Sequence, residues 1–258
     1  MLFFSDLDRT LIYSKKFIKD RDKLYCIEVL DGKEISYISK NTVKLLKEIS
    51  KDNKFIPTTT RSIEQFSRIK FNEHGINFQY SITTNGGVIL YNGKPLEIWS
   101  NIVKKRLKEC NSLLSTMSFF NEKYGELEGI LKVRSVDEMF FYLVVDLERF
   151  DLRKIETFKK ELEAFNWNFY ISGRKIYFLP KILTKENAID FLMNYLNEKE
   201  FCAMGDSSMD LNMLKKSNRA FVPAKSAIEH EMKNTTDFIS KNEGFEGTEE
   251  IIKELLNI

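Results

Sequence analysis

Histidine is nearly absent from this sequence, which holds only His74 and His230. Two scattered imidazoles exclude a histidine metal cage and a Ser/His/Asp triad. Cysteine is scarce as well. Cys26, Cys110 and Cys202 are odd in number and far apart, and no CxxC occurs. That excludes a disulfide framework and a cysteine zinc site, and points to reduced, cytoplasmic thiols, each a small buried hydrophobe. An excess of charge is also missing: 40 basic residues face 38 acidic ones, for a net charge of +2. A dedicated nucleic-acid binder is usually more basic, so no nucleic-acid partner is expected. Long hydrophobic runs are lacking too. The longest, about Met139 to Val145, is too short to span a bilayer. Asp6 and Asp8 arrive too early for a signal peptide, and no membrane partner is expected. There are no repeats and no linker rich in Pro, Gly or Ser.

What is present is ordinary globular composition over 258 residues, 43% hydrophobic and 30% charged. That length suits one large domain, or a core with a smaller insertion. Leu2-Phe3-Phe4-Ser5 reads as a buried strand whose carboxyl end carries Asp6 and Asp8. Two β-rich runs between Leu24 and Ile38 flank Asp31-Gly32, a strong hairpin signal, and form a flap within about 12–40. A helix is predicted over Asn41 to Ser50. A strand at Phe55 to Thr58 leads into Thr59-Thr60-Arg61, and Ser62 with Gln65 makes a capping box for the next helix. Tyr80 to Thr83 reads as a third strand, ended by Asn85-Gly86-Gly87. Strand–helix alternation of this kind argues for a parallel α/β sheet.

The middle changes character. A helix over Asn101 to Met117 precedes strands at Gly129 to Val136 and Glu138 to Asp146. A helix at Leu152 to Phe165 follows, then a hairpin of Trp167 to Ile171 and Lys175 to Leu179. That pattern predicts an inserted α+β domain over about 88–180. The α/β pattern then resumes with a helix from Lys185 to Leu196 and a strand from Phe201 to Met204, ending at Gly205-Asp206. Asp210 to Lys215 reads as a helix. Further strands are expected at Arg219 to Val222 and Asp237 to Ile239, and a closing helix at Thr248 to Leu256. The core is thus split between 1–87 and 181–258.

Four features fall after predicted strands or at helix starts, where open parallel sheets bind ligands. They are Asp6-Leu7-Asp8-Arg9-Thr10-Leu11, then Thr59-Thr60-Arg61, then Lys185, and finally Gly205-Asp206-Ser207-Ser208-Met209-Asp210. Singly, each has a plain structural explanation: a solvated loop, a helix cap, a surface lysine. Together, and in this order, they suit phosphoryl transfer, which needs an in-line nucleophile, charge neutralisation and protonation of the leaving group. A carboxylate can be the nucleophile. Of two nearby carboxylates, one tends toward a raised pKa suited to acid/base work.

These motifs resemble the haloacid dehalogenase (HAD) superfamily of phosphatases, across the whole chain. The insertion resembles its large C2-type cap, as in Cof-like sugar phosphatases, sucrose-phosphate phosphatase and phosphomannomutase. Asn85-Gly86 looks like the Asn-Gly at the entrance to such caps. The resemblance implies a HAD-like Rossmannoid α/β core with an inserted α+β cap. It implies a magnesium-dependent phosphatase acting on a small phosphomonoester. A sugar phosphate leads, and a nucleotide or cofactor-precursor phosphate follows. In that reading Asp6 is the nucleophile and Asp8 the acid/base. Thr59 donates to a phosphoryl oxygen, and Lys185 places a charge beside the phosphate and Asp6. Asp6, Asp206 and the backbone carbonyl of Asp8 hold magnesium, with Asp210 in support. Thr60, Arg61 and Asn85 are candidates for substrate contact, and Arg61 is as well placed to pair with a nearby carboxylate. The same residues suit a phosphohexomutase, or a non-catalytic phosphometabolite-binding protein. Three positions depart from the family pattern: Arg9 and Thr60 replace glycines, and Met209 replaces an asparagine.

Overall fold

The structure, a computed structural model, describes residues 1–258. It divides into two compact units, Met1–Leu96 with Lys185–Ile258, and Glu97–Thr184.

The first unit is built on a five-stranded parallel sheet. Its order is Phe238–Ile239, Arg219–Val222, Phe201–Met204, Leu2–Ser5 and Lys54–Pro57. Leu2–Ser5 is buried along its whole length, as expected of a central strand covered on both faces. Phe3, Cys202 and Phe55 are register partners and so share one face. That face is covered by two helices. One is Lys40–Ile49, capped by Ser39, whose hydroxyl accepts from the Thr42 N–H at 2.8 Å. The other is Gly244–Leu255. Val43, Leu46, Ile49, Ile251, Ile252 and Leu255 complete this core.

Register places the site. Ser5 lies opposite both Met204 and Pro57, so three strands end at one level. Asp6 N–H then donates to the Met204 carbonyl at 2.9 Å, and Thr58 N–H to the Ser5 carbonyl at 2.7 Å. The loops starting at Asp6, Thr58 and Gly205 therefore leave the same edge, the carboxyl edge of the sheet.

Tyr80–Thr83 forms as expected, but its ladder to the parallel sheet is cut short. It pairs antiparallel with Val88–Tyr91 and meets the parallel sheet at a single parallel bridge, Thr58–Ile82. The cause is Pro57. Thr58 N–H points to the first strand and Thr59 N–H to Ile82, so the residue-57 amide would face Tyr80–Thr83, and proline has none to give. Val88–Tyr91 and Lys94–Pro95 continue this small sheet. The strands beyond residue 87 thus belong to the first unit, and the insertion starts at Glu97, not at 88, and runs to Thr184, not to 180.

The second unit has an antiparallel sheet ordered Trp167–Ser172, Lys175–Pro180, Phe140–Val145, Ile130–Val136. From the helices Leu113–Tyr124 and Arg153–Ala164, Phe120 meets Phe141 and Phe178 of the sheet and Phe158 meets Phe178, with ring centroids 5.4–5.8 Å apart. The single helix expected over Asn101 to Met117 is two, Glu97–Leu107 and Leu113–Tyr124. Tertiary bonds claim the backbone between them. Asn111 N–H donates to the Phe165 carbonyl at 2.9 Å, and the Asn111 carbonyl accepts from the Trp167 indole at 2.8 Å. Ser112 then caps the second helix. All three cysteines are free. Only Cys202 is fully buried, so the expectation of burial fails for Cys26 and Cys110. No helix is long and apolar enough to cross a membrane.

Candidate active site

Asp6 leaves the first strand almost fully buried. Lys185 opens the helix Lys185–Tyr195 and reaches back to it, donating from Nζ to Asp6 Oδ1 at 2.5 Å. The same ammonium donates to Asp210 Oδ1 at 2.6 Å. Asp210 is wholly buried, and its other oxygen ties down its own loop. Oδ2 accepts from the N–H groups of Asp206 and Ser207 at 3.2 and 3.0 Å, and from the Ser207 hydroxyl at 2.7 Å. Gly205 permits this closeness, since a Cβ there would stand 2.5 Å from the Asp210 Cβ.

Asp6, Asp206 and Asp210 each present a carboxylate oxygen within 4.8 Å of the others. Lys185 is the only ammonium bonded to this cluster, and it leaves Asp206 unmatched. Burial, with Asp210 and Asp8 against the pull of Lys185, raises the Asp6 carboxyl to about 7. Burial and the charges of Asp6 and Asp210 hold Asp206 well above the ordinary carboxylate range. Burial works against the charged form of Lys185, but Asp210 and Asp6 more than offset it and raise its pKa. A buried, oxygen-only donor set with surplus negative charge fits a hard divalent cation such as magnesium. Asp6 and Asp206 suit direct ligation, because both oxygens of Asp210 are already engaged.

Asp8 is exposed, and its carboxylate is paired elsewhere. Arg61 grips it with a bidentate fork, Nε to Oδ2 and Nη2 to Oδ1, both at 2.8 Å. Arg61 is itself held from behind by Glu28, whose Oε2 accepts from Nη1 at 2.8 Å. Burial opposes the charge of Arg61, and Asp8 and Glu28 overcome it to raise its pKa. Of the two roles open to Arg61, the structure displays the pairing with carboxylates. Thr59 is buried, and its hydroxyl oxygen accepts from the Arg61 N–H at 3.2 Å. Thr60 is half-buried beside it. Asn85 is buried in a left-handed turn at φ 52°, and its N–H donates to the Thr59 carbonyl at 3.0 Å. Every site residue named from the sequence therefore lies in the first unit, on the turns after its strands or, for Lys185, at the start of a helix.

Arg9 adopts φ 64°, the left-handed region where glycine is at ease, and its N–H donates to the Ile12 carbonyl at 2.8 Å. It lines a cavity of about 260 Å³ with Tyr13, Lys16, Asp206 and Lys225, and its charge opposes the rise at Asp206.

Sequence reasoning missed Glu28, Ser36 and Ser207. Glu28 is 2% exposed, accepts from the Ser36 hydroxyl at 2.7 Å and lies 3.5 Å from Arg68. The available signal was a lone acid within the apolar run Leu24–Leu30. Simple alternation puts Glu28 on the face of Cys26 and Leu30. The strand pairing instead slips on either side of Glu28, a bulge that turns both Ile27 and Glu28 inward.

A family model described as haloacid dehalogenase-like hydrolase matches residues 126–252, the stretch holding Lys185, Asp206 and Asp210. No curated protein matches in sequence. Solved structures do match in fold. The sucrose-phosphatase of Synechocystis, in complex with sucrose and phosphate, superposes with a TM-score of 0.72 at 17% identity, covering 98% of this chain and 97% of that one. A Thermoplasma acidophilum protein gives 0.69 at 20% identity, over 100% and 98%. A HAD subclass IIB sugar phosphatase gives 0.65 at 15% identity, over 100% and 99%. The fold is the haloacid dehalogenase-like one.

Proposed function

We propose that this haloacid dehalogenase-like protein is a magnesium-dependent phosphatase that hydrolyses a small phosphomonoester through a phosphoaspartate on Asp6. The observation that carries the reading is the buried cluster of Asp6, Asp206 and Asp210 around Lys185, at the carboxyl edge of a parallel sheet.

Asp6 attacks the phosphorus in line, and the bond to the leaving oxygen breaks as the bond to the carboxylate forms. Asp8 gives the leaving alcohol its proton. It then takes a proton from the water that cleaves the phosphoaspartate, so inorganic phosphate leaves and both carboxyl groups return to their starting forms. Lys185 fixes the Asp6 oxygen it touches and balances charge beside the phosphate. The Thr59 hydroxyl donates to a phosphoryl oxygen. Asp6, Asp206 and the Asp8 carbonyl would hold magnesium, which would supply charge neutralisation between a carboxylate nucleophile and an anionic substrate. The second unit, the segment that resembles a cap, is the expected source of specificity. Sugar phosphates are the favoured class, supported by the sucrose-phosphatase and sugar phosphatase among the fold relatives. The free cysteines support a cytoplasmic setting.

The test is release of inorganic phosphate from a panel of phosphorylated metabolites with magnesium. Wild type should turn over at least one sugar phosphate, and Asp6→Asn none. Isomerisation of a hexose phosphate without phosphate release would make the protein a mutase. Full activity in Asp6→Asn would overturn the mechanism.

A further inference from the structure

Glu28 is a buried carboxylate that the proposed reaction does not use. It sits in the flap hairpin, far in sequence from both Asp8 and Arg61. It is nevertheless bonded on both sides: Oε2 accepts from Arg61 Nη1 at 2.8 Å and from the Ser36 hydroxyl at 2.7 Å, and Oε1 lies 3.5 Å from Arg68 Nη2. Ser36 also accepts from Arg61 Nη2 at 3.3 Å, so both strands of the hairpin touch the guanidinium. Arg61 turns Nε and Nη2 to the two oxygens of Asp8.

A guanidinium is planar, so fixing one edge fixes the other. An arginine gripping an exposed carboxylate alone would sample many rotamers, and such pairs are weak. Here the Arg61 side chain is only 12% exposed and anchored by an acid that is 2% exposed. The orientation of the rear carboxylate is thereby carried through a rigid plate to the front one.

We infer that Glu28 is a positioning residue for catalysis: through Arg61 it holds the Asp8 carboxylate in the orientation used for proton transfer. The flap hairpin is then part of the catalytic apparatus, because the bulge at Ile27 and Glu28 sets where Asp8 points. This inference rests on the proposed phosphatase reaction. It goes beyond it in assigning a role to Glu28 and to the hairpin that carries it.

The test uses full-length protein with magnesium and p-nitrophenyl phosphate, whose phenolate leaves without a proton. Transfer to Asp6 should then need Asp8 little, while hydrolysis of the phosphoaspartate still needs it. In Glu28→Gln, which keeps the shape of the side chain, kcat should fall about tenfold, a part of the roughly 10²–10⁴ that a placed acid/base group contributes. KM should fall with it, leaving kcat/KM within about threefold, since only the second step has slowed. The variant Asp8→Asn should show the same pattern more strongly, and Glu28→Gln added to Asp8→Asn should lower kcat no further. Thermal melts of each variant separate misfolding from misplacement, and Ser36→Ala serves as a milder second probe expected to lie between wild type and Glu28→Gln. Additive losses in the double variant, or a fall in kcat with KM unchanged, would overturn the inference and leave the phosphatase reading standing. A wild-type protein inactive on every phosphate ester would overturn both.

Discussion

Lys185 shows how one residue can decide the character of a site. Its side chain is 1% exposed, and its ammonium is bonded to Asp6 and Asp210 together. Lys185→Met keeps most of the apolar stem and deletes the charge. Asp6 and Asp210 then face each other and Asp206 without it, and breaking a buried pair in this way costs about 3–5 kcal/mol. The variant should melt well below wild type in urea or heat. It should lose phosphatase activity by about a hundredfold or more, as when a placed charge is removed from a transition state. A melt matching wild type would mean that this ammonium does not hold the cluster together. At this scale the sequence was most legible where chemistry is local. Asp6, Asp206, Asp210 and Lys185 were named from motif spacing, and the structure brings all four together. Glu28 was not legible, because its burial follows from a bulge and from partners eight, 33 and 40 residues away.

At the scale of elements, the turn between Phe201–Met204 and the helix Leu211–Lys216 is tightly constrained. Asp210 folds back over it and accepts two backbone N–H groups. Gly205→Ala would drive a methyl group to 2.5 Å from the Asp210 Cβ and 2.7 Å from its Cγ. Overpacking of this kind costs about 1–3 kcal/mol, and here the displaced residue is the one that holds Lys185. The variant should therefore lose activity out of proportion to its stability, measurable as phosphate release by protein that still melts cooperatively. Retained activity would show that the loop yields without moving the carboxylate. Elements were readable wherever local signals agreed. The Ser62–Gln65 capping box and the hairpin across Asp31-Gly32 stand as the sequence implies. The errors lie where distant partners intervene, as with Pro57, which starves Tyr80–Thr83 of a donor, and Asn111, whose backbone is claimed by Phe165 and Trp167.

At the scale of the molecule, the carboxylate cluster links stability to pH and to metal. Asp6 titrates near 7 in the fold against 3.8 for the ordinary group, raised chiefly by burial. Between those values the native state holds a proton that the unfolded chain has released. Stability therefore falls as pH rises through this window, and the full penalty is present above it. Asp206 shifts in the same direction and adds to the slope. Chelated protein should accordingly melt lower as pH rises from about 4 to about 7, and magnesium should raise the melting temperature more above pH 7 than below pH 5. A melting temperature flat in pH and indifferent to magnesium would contradict this. The division into two units was visible as a change from α/β to α+β patterning. Its edges were not, because the strands Val88–Tyr91 and Lys94–Pro95 look the same in sequence whichever sheet they join.

If Asp6 is the nucleophile, it forms an acyl phosphate, and an acyl phosphate can be caught. Borohydride added during turnover of a sugar phosphate with magnesium reduces a phosphoaspartate to homoserine, and peptide mass mapping locates the change. Conversion is expected at Asp6 and at no other aspartate. Sustained phosphate release with Asp6 unconverted would contradict it.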